Sequence, residues 1–221
     1  MGTFKPCLDI LPPAQRRIWP ELRGAAELGF VLYGGTAIAL RLGHRVSVDF
    51  DFFSSQPLDR EAIKAALPFV ARSTSIQDKG KSWSLLAPCG DAGDVKVSFF
   101  GGISFGRVGE PDFTDDGVMQ VASLDDLMAT KVKVVLQRAE AKDYRDVAEM
   151  IKTGANLAKG LAAARLFYGD NFQPEESLKA LVYFDDGDLR NLSLAEKNIL
   201  VQSVDSINLL PSCRLSSKEL K

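Results

Sequence analysis

Two aspartates one residue apart, Asp49 and Asp51, are the first side chains here whose type and spacing suggest chemistry. They lie in the run from Val46 to Phe53, where Val46, Val48, Phe50 and Phe52 alternate with Ser47, Asp49 and Asp51. A period of two predicts a strand over 46–53 with both carboxylates on one face. Two strand steps separate them by about 6.5 to 7 Å. Carboxylates so spaced can converge on one Mg²⁺ or Mn²⁺, or bracket two ions about 3.5–4 Å apart. Such ions bridge phosphates and stabilise the charge of an in-line displacement.

A second group precedes them by about a dozen residues. Phe30 to Tyr33 is a short apolar run that reads as a buried strand, and Gly34-Gly35 as a turn. Glycines let the backbone approach a ligand closely. A helix over 36–42 follows at once and ends at Gly43. Its N-terminal amides suit a phosphate. The Thr36 hydroxyl either adds a hydrogen bond to that phosphate or caps the helix. Alone, a Gly-Gly pair is a turn and a D-x-D a solvated face; the two in this order point to a nucleotide-binding site.

The elements around them divide in two. Residues 13–28 carry a helical apolar period. Strands are expected at 69–77, 82–87 and 95–100, with Asp59 capping a helix that follows it. Most of 101–117 reads as loop. From Ser123 onward the periodic segments are helical, at 124–139, 143–153, 157–168, 175–181 and 194–206, and the last dozen residues read as frayed. The predicted class is α+β, a short mixed sheet with flanking helices followed by a helical C-terminal half. The predicted domains are an α/β core at 1–118 and a helical part at 119–221 that completes the cleft.

The 221 residues are 46% hydrophobic and 25% charged, with a net charge of −2. Bulk charge therefore gives no argument for nucleic-acid binding. Cys7, Cys89 and Cys213 are far apart and odd in number, which excludes a zinc knuckle and a disulfide framework. His44 is the single histidine and reads as a turn residue, so a His-rich metal site is excluded. No apolar run approaches a membrane span, and the N-terminus lacks a secretory pattern. The expectation is a cytoplasmic protein with no membrane partner.

Gly34-Gly35-Thr36, then Leu42-Gly-His-Arg45, then Asp49-Phe-Asp51 resemble the nucleotidyltransferase toxins of the AbiEii/AbiGii type. These belong to the superfamily with DNA polymerase β-like nucleotidyltransferase folds. The resemblance implies that Gly34, Gly35 and Thr36 bind a nucleoside triphosphate and that Asp49 and Asp51 bind Mg²⁺. The superfamily also has a third acid on a neighbouring strand. Here the expected position carries Ser98, and Asp94 takes its place only if the register shifts by two.

On a helical wheel of 124–138, Lys131 and Arg138 fall within the apolar arc. Lys131 either snorkels to solvent or reaches a phosphate or the acidic site. Asp143 falls on the apolar stripe of the next helix, either as its N-cap or as part of a site. Lys131, Arg138, Lys142-Asp143 and Asp146 resemble the toxins' second block. By that resemblance Lys131 contacts the nucleotide and Asp143 completes the site, while Arg138, Lys142 and Asp146 also suit surface pairing. The implied activity is Mg²⁺-dependent transfer of a nucleoside monophosphate from an NTP to an acceptor hydroxyl. The implied acceptor is RNA such as tRNA, in a bacterial toxin–antitoxin context with a cognate antitoxin partner. Two rival readings are a catalytically degenerate nucleotide- or partner-binding module, which Ser98 favours, and a small-molecule nucleotidyltransferase.

Overall fold

The computed structural model describes residues 2–221. The chain forms two compact units. The first comprises the chain up to Gly106 together with Glu110–Ser123 and Ser217–Lys221; the second comprises Arg107–Gly109 and Leu124–Ser216.

The first unit is built on a mixed sheet. Its strands are β1 (Thr3–Phe4), β2 (Val31–Tyr33), β3 (Asp49–Phe53), β4 (Thr74–Lys79), β5 (Ser82–Pro88), β6 (Asp94–Phe100), β7 (Asp112–Thr114) and β8 (Gln120–Val121). They are ordered β1-β7-β8-β2-β3-β6-β5-β4. Strand β3 lies between β2, to which it is antiparallel, and β6, to which it is parallel. The flanking helices are α1 (Pro13–Ile18), α2 (Gly24–Glu27), α3 (Gly34–Leu42) and α4 (Arg60–Ala66). Asp59 caps α4 as expected, accepting from the Ala62 amide at 3.0 Å. One face of the sheet is a closed aromatic core. Phe50, Phe52 and Phe99 are fully buried, and Phe52 stacks on Phe99 with centroids 5.5 Å apart.

The second unit is helical: α5 (Leu124–Val134), α6 (Ala141–Lys152), α7 (Leu157–Tyr168), α8 (Pro174–Leu181) and α9 (Leu194–Asp205). Gly160 lets α7 press against α5, because a Cβ there would collide with the Met128 side chain. Asn156 caps α7 through the Lys159 amide, and Ser193 with Glu196 forms a capping box on α9. The architecture is the α+β class expected, with a sheet wider than a short one.

Four local expectations give way. The helix over 13–28 is broken after Ile18, where a 3-10 turn spans Trp19–Leu22. Pro20 has no N–H for an i−4 bond and its ring clashes with that carbonyl. The strand over 46–53 begins only at Asp49, and Val46 and Val48 are each 59% exposed. The run at 69–73 is mostly a 3-10 turn, Pro68–Arg72, with the strand starting at Thr74. The end of the chain, expected to fray, folds back. Leu220 is 1% exposed, and its amide donates to the Ser55 hydroxyl at 3.0 Å.

Candidate functional site

In the first unit, β2 ends at Tyr33 and α3 begins at Gly34 with no residue between. Gly34 has φ +75°, a left-handed conformation that disfavours a side chain. A Cβ there would also lie 2.8 Å from Oδ2 of Asp51. The Gly-Gly turn and the D-x-D strand are therefore in direct contact. Gly35 has a different neighbour: a Cβ on it would lie 2.5 Å from an Arg45 guanidinium nitrogen and 3.2 Å from the Ser47 hydroxyl. The first-turn amides of α3, Gly34, Gly35 and Thr36, have no i−4 carbonyl within the helix.

Thr36 is 1% exposed. Its hydroxyl hydrogen-bonds to the Asp49 carbonyl and to the Ser47 hydroxyl, the latter at 2.9 Å. The side chain thus ties the first turn of α3 to the start of β3, and it is not the helix N-cap, which is Tyr33. What Thr36 retains for a ligand is its backbone amide.

Asp49 and Asp51 leave the same face of β3, with Phe50 and Phe52 buried behind them. Both are half-buried. The Asp49 carboxylate has no hydrogen bond or ion pair among the described residues. Asp49 pairs in register with Lys96 of β6, and Asp51 with Ser98. Lys96 therefore stands beside Asp49 on the acidic face. Ser98 is 1% exposed and hydrogen-bonds to Ser84 of β5 at 3.0 Å. No register shift brings Asp94 alongside: it pairs with Pro88 of β5, four residues from Ser98 on its own strand.

Of the two arginines flanking the α3–β3 turn, Arg41 is structural. It donates to the Ala122 and Val121 carbonyls at 2.8 and 2.9 Å, pairs with Asp112, and covers the Phe4 ring. Arg45 is the one placed at the Gly-Gly turn.

The second unit holds the other predicted pair. Lys131 of α5 is 5% exposed, and its ammonium contacts Asp143 of α6 at 2.5 Å and Asp146 at 2.8 Å. Both acids are 0% exposed. Lys131 does not snorkel. Asp143 is not an N-cap either, because Glu140 holds that position. Asp146 is not a surface partner; it lies one turn beyond Asp143 on the same face. Arg138 closes the network from outside, 2.7 Å from Asp143. Burial alone would raise the Asp143 carboxyl. The Arg138 guanidinium and Lys131 ammonium outweigh it and hold that carboxyl below its ordinary range. Of the three Lys131 N–H donors, two serve Asp143 and Asp146, leaving one for another acceptor. Lys142, by contrast, pairs at the surface with Glu140 at 2.6 Å.

The family description "Nucleotidyl transferase AbiEii toxin, Type IV TA system" matches residues 21–200. The chain belongs to this family. Its enzyme class is nucleotidyltransferase. An uncharacterised protein of Aquifex aeolicus (strain VF5) is 29% identical over 182 residues, covering 77% of this chain and 85% of its own. The nucleotidyltransferase toxin MenT4 of Mycobacterium tuberculosis H37Rv has a similar fold, with a TM-score of 0.50 and 14% identity. That match covers 87% of this chain and 90% of the toxin. No helix among the described residues is long and apolar enough to cross a membrane.

On its acidic strand face this chain presents two carboxylates, Asp49 and Asp51, with Ser98 opposite Asp51. No cluster of three His, Cys, Asp or Glu side chains suited to a metal exists among the described residues. Mg²⁺ does not need one. It is commonly held by one or two carboxylates together with substrate phosphates and water. Asp49, with its carboxylate unengaged, and Asp51 on the same rigid strand fit that mode.

Proposed function

We propose that this chain transfers a nucleoside monophosphate from an NTP to an RNA hydroxyl, with tRNA as the acceptor class, in an Mg²⁺-dependent reaction. The observation that carries the reading is the direct contact of Gly34 with Asp51. It puts the amide-rich start of α3 beside the paired carboxylates, so one short segment offers both an anion-binding and a cation-binding surface.

In this reading the first-turn amides of Gly34, Gly35 and Thr36 hold the triphosphate, and Arg45 lies over the same turn to neutralise it. Thr36 also fixes Asp49 through the Asp49 carbonyl. Asp49 and Asp51 would hold Mg²⁺, which when bound supplies neutralisation of the phosphate oxygens. The acceptor hydroxyl oxygen forms a bond to the α-phosphorus as its proton passes to solvent, the bond from that phosphorus to the bridging oxygen breaks, and pyrophosphate leaves. Lys131, fixed by Asp143 and Asp146, has one N–H left for a phosphate oxygen, and Asp143 orients that ammonium. Family membership supports an antitoxin protein as the partner and a cytoplasmic setting.

The test is nucleotide transfer. Purified protein is incubated with Mg²⁺ or Mn²⁺, each NTP labelled at the α-phosphate, and total tRNA, beside Asp49→Ala/Asp51→Ala. Label entering tRNA only with the acids intact is the expected result and names the base. Label entering neither RNA nor protein, with NTP binding retained, would replace the reading with a nucleotide-binding module. Ser98 beside Asp51 is the observation favouring that alternative.

A further inference from the structure

The acidic face of the sheet carries aromatic rings as well as carboxylates. Tyr33 lies opposite Asp51 in register, and Phe53 follows Asp51 by two residues on the same face. Phe53 pairs in turn with Phe100 of β6. The rings meet: Tyr33 stacks on Phe53 at 4.9 Å with an interplanar angle of 14°, and Phe53 meets Phe100 edge-on at 5.0 Å. A fourth ring, Phe105, comes from the loop after β6 and lies 6.2 Å from Tyr33 and 6.4 Å from Phe53.

The loop is built to return Phe105 to this face. The Gly102 amide donates to the Gln56 carbonyl at 2.7 Å and the Ile103 amide to the Ser54 carbonyl at 3.0 Å. Gly102 and Gly106, on either side of Phe105, have φ +63° and +71°, left-handed conformations that favour glycine. Gly101 leaves no room for a Cβ against the Leu58 backbone.

This cluster differs from the core on the opposite face. There Phe50, Phe52 and Phe99 are sealed. Here Tyr33 is buried at 1% exposure, but Phe53, Phe100 and Phe105 stay half-buried beside a charged strand. Half-covered aromatic surface is costly beside water and useful beside a planar ligand. Phe53 is also two strand steps from Asp51, about 6.5 to 7 Å of rise.

We infer that Phe105, with Phe53 beside it, is a stacking site for a nucleobase of the transfer reaction. The inference rests on the proposed nucleotidyltransfer and names the group that positions its nucleotide. Two sources share this chemistry, the base of the NTP and the terminal base of the RNA acceptor. Stacking recognises a π-face rather than a hydrogen-bond pattern, so the site adds affinity without selecting one base.

The experiment compares wild type with Phe105→Ala, Phe105→Leu and Phe105→Trp. Calorimetry in Mg²⁺ measures binding of ATP, CTP and inorganic tripolyphosphate, and transfer assays measure KM for tRNA and kcat. Leucine keeps apolar bulk without the π-face, and tripolyphosphate keeps the phosphates without the base. An NTP affinity about tenfold weaker in the Ala and Leu variants, kept by Trp and with tripolyphosphate unmoved, establishes stacking of the NTP base. Unchanged NTP binding with a tRNA KM raised about tenfold at constant kcat, again rescued by Trp, establishes stacking of the acceptor base. Equal losses for NTP and tripolyphosphate, or no change in any constant, overturn the inference. Asp49→Ala run alongside separates the two levels: if it abolishes transfer while the Phe105 variants behave as wild type, the nucleotidyltransfer stands and the stacking site falls. If wild type neither binds NTP nor transfers label, both fall together.

Discussion

Gly34 and Asp51 are in contact across the α3–β3 junction, so closely that one methyl group on Gly34 would reach within 2.8 Å of a carboxylate oxygen. Gly34→Ala therefore has two separable effects. The backbone at φ +75° resists a Cβ, which costs more than about 1 kcal/mol of stability. The carboxylate must also move, and a displacement of roughly 1 Å at a reacting centre can lower the rate about 100-fold. Thermal melts and single-turnover transfer assays read the two effects independently. Gly35→Ala is expected to displace Arg45 instead, raising KM for NTP more than it lowers kcat.

Asp49→Asn and Asp51→Asn keep the shape of β3 and remove its charge. Because the Asp49 carboxylate makes no internal contact among the described residues, Asp49→Asn is expected to leave the melting temperature of the metal-free protein unchanged. Transfer is expected to fall by about a thousandfold or more. Mg²⁺ with ATP should raise the melting temperature of wild type and not that of the variant. A variant that still transfers label at the wild-type rate would remove Asp49 from the site.

Much of this site was legible in the chain before its fold. Glycine turns and alternating aspartates are local signals, and α3 and β3 form around them, α3 starting at Gly34 and β3 only at Asp49. What was hidden is non-local. Val46 and Val48 extend the alternation, yet β2 ends at Tyr33 opposite Asp51 and pairing with β6 starts only at Asp49, so the earlier residues lie outside the ladder although β6 itself begins at Asp94. Strands β1 and β8 have two residues each, too few for any period to show. Lys131 reads either as a snorkelling cation or as one reaching a phosphate or the acidic site, and Asp146 also suits the surface; packing of α5 against α6 buries Lys131 between Asp143 and Asp146. Phe105 carried no signal at all, since its place depends on backbone bonds from the 101–106 loop to the segment after β3.

Ser98 tests whether a third acid is needed. Ser98→Ala removes the hydrogen bond to Ser84, at a cost of about 1 kcal/mol, and is expected to leave transfer unchanged. Ser98→Asp puts a third carboxylate beside Asp51 in a position that is 1% exposed. The metal-free protein should then melt at a lower temperature, because like charges are brought together in a buried place. Added Mg²⁺ should recover more of that loss than it adds to wild type. A Ser98→Asp protein insensitive to Mg²⁺ would show that the β3–β6 face does not hold the metal.

The buried network makes the last prediction, and its sign follows from Asp143. Its folded carboxyl titrates below the ordinary aspartate range, because Arg138 and Lys131 outweigh the opposing effect of burial. A depressed folded pKa stabilises the fold above the unfolded value of about 3.9, and the contribution is lost as pH falls from there through the folded pKa. Acid unfolding monitored by circular dichroism between about pH 5 and pH 2 should therefore be shallower in Asp143→Asn than in wild type. Lys131→Met behaves differently. It leaves Asp143 and Asp146 buried without the ammonium they share, which is expected to cost about 3–5 kcal/mol at neutral pH. Lys131→Met/Asp143→Asn/Asp146→Asn also removes the buried carboxylate charges that Lys131 compensated and should recover part of that stability. If Lys131 also contacts the nucleotide, the triple variant regains its fold and not its transfer activity. Recovery of both would confine Lys131 to holding α5 on α6.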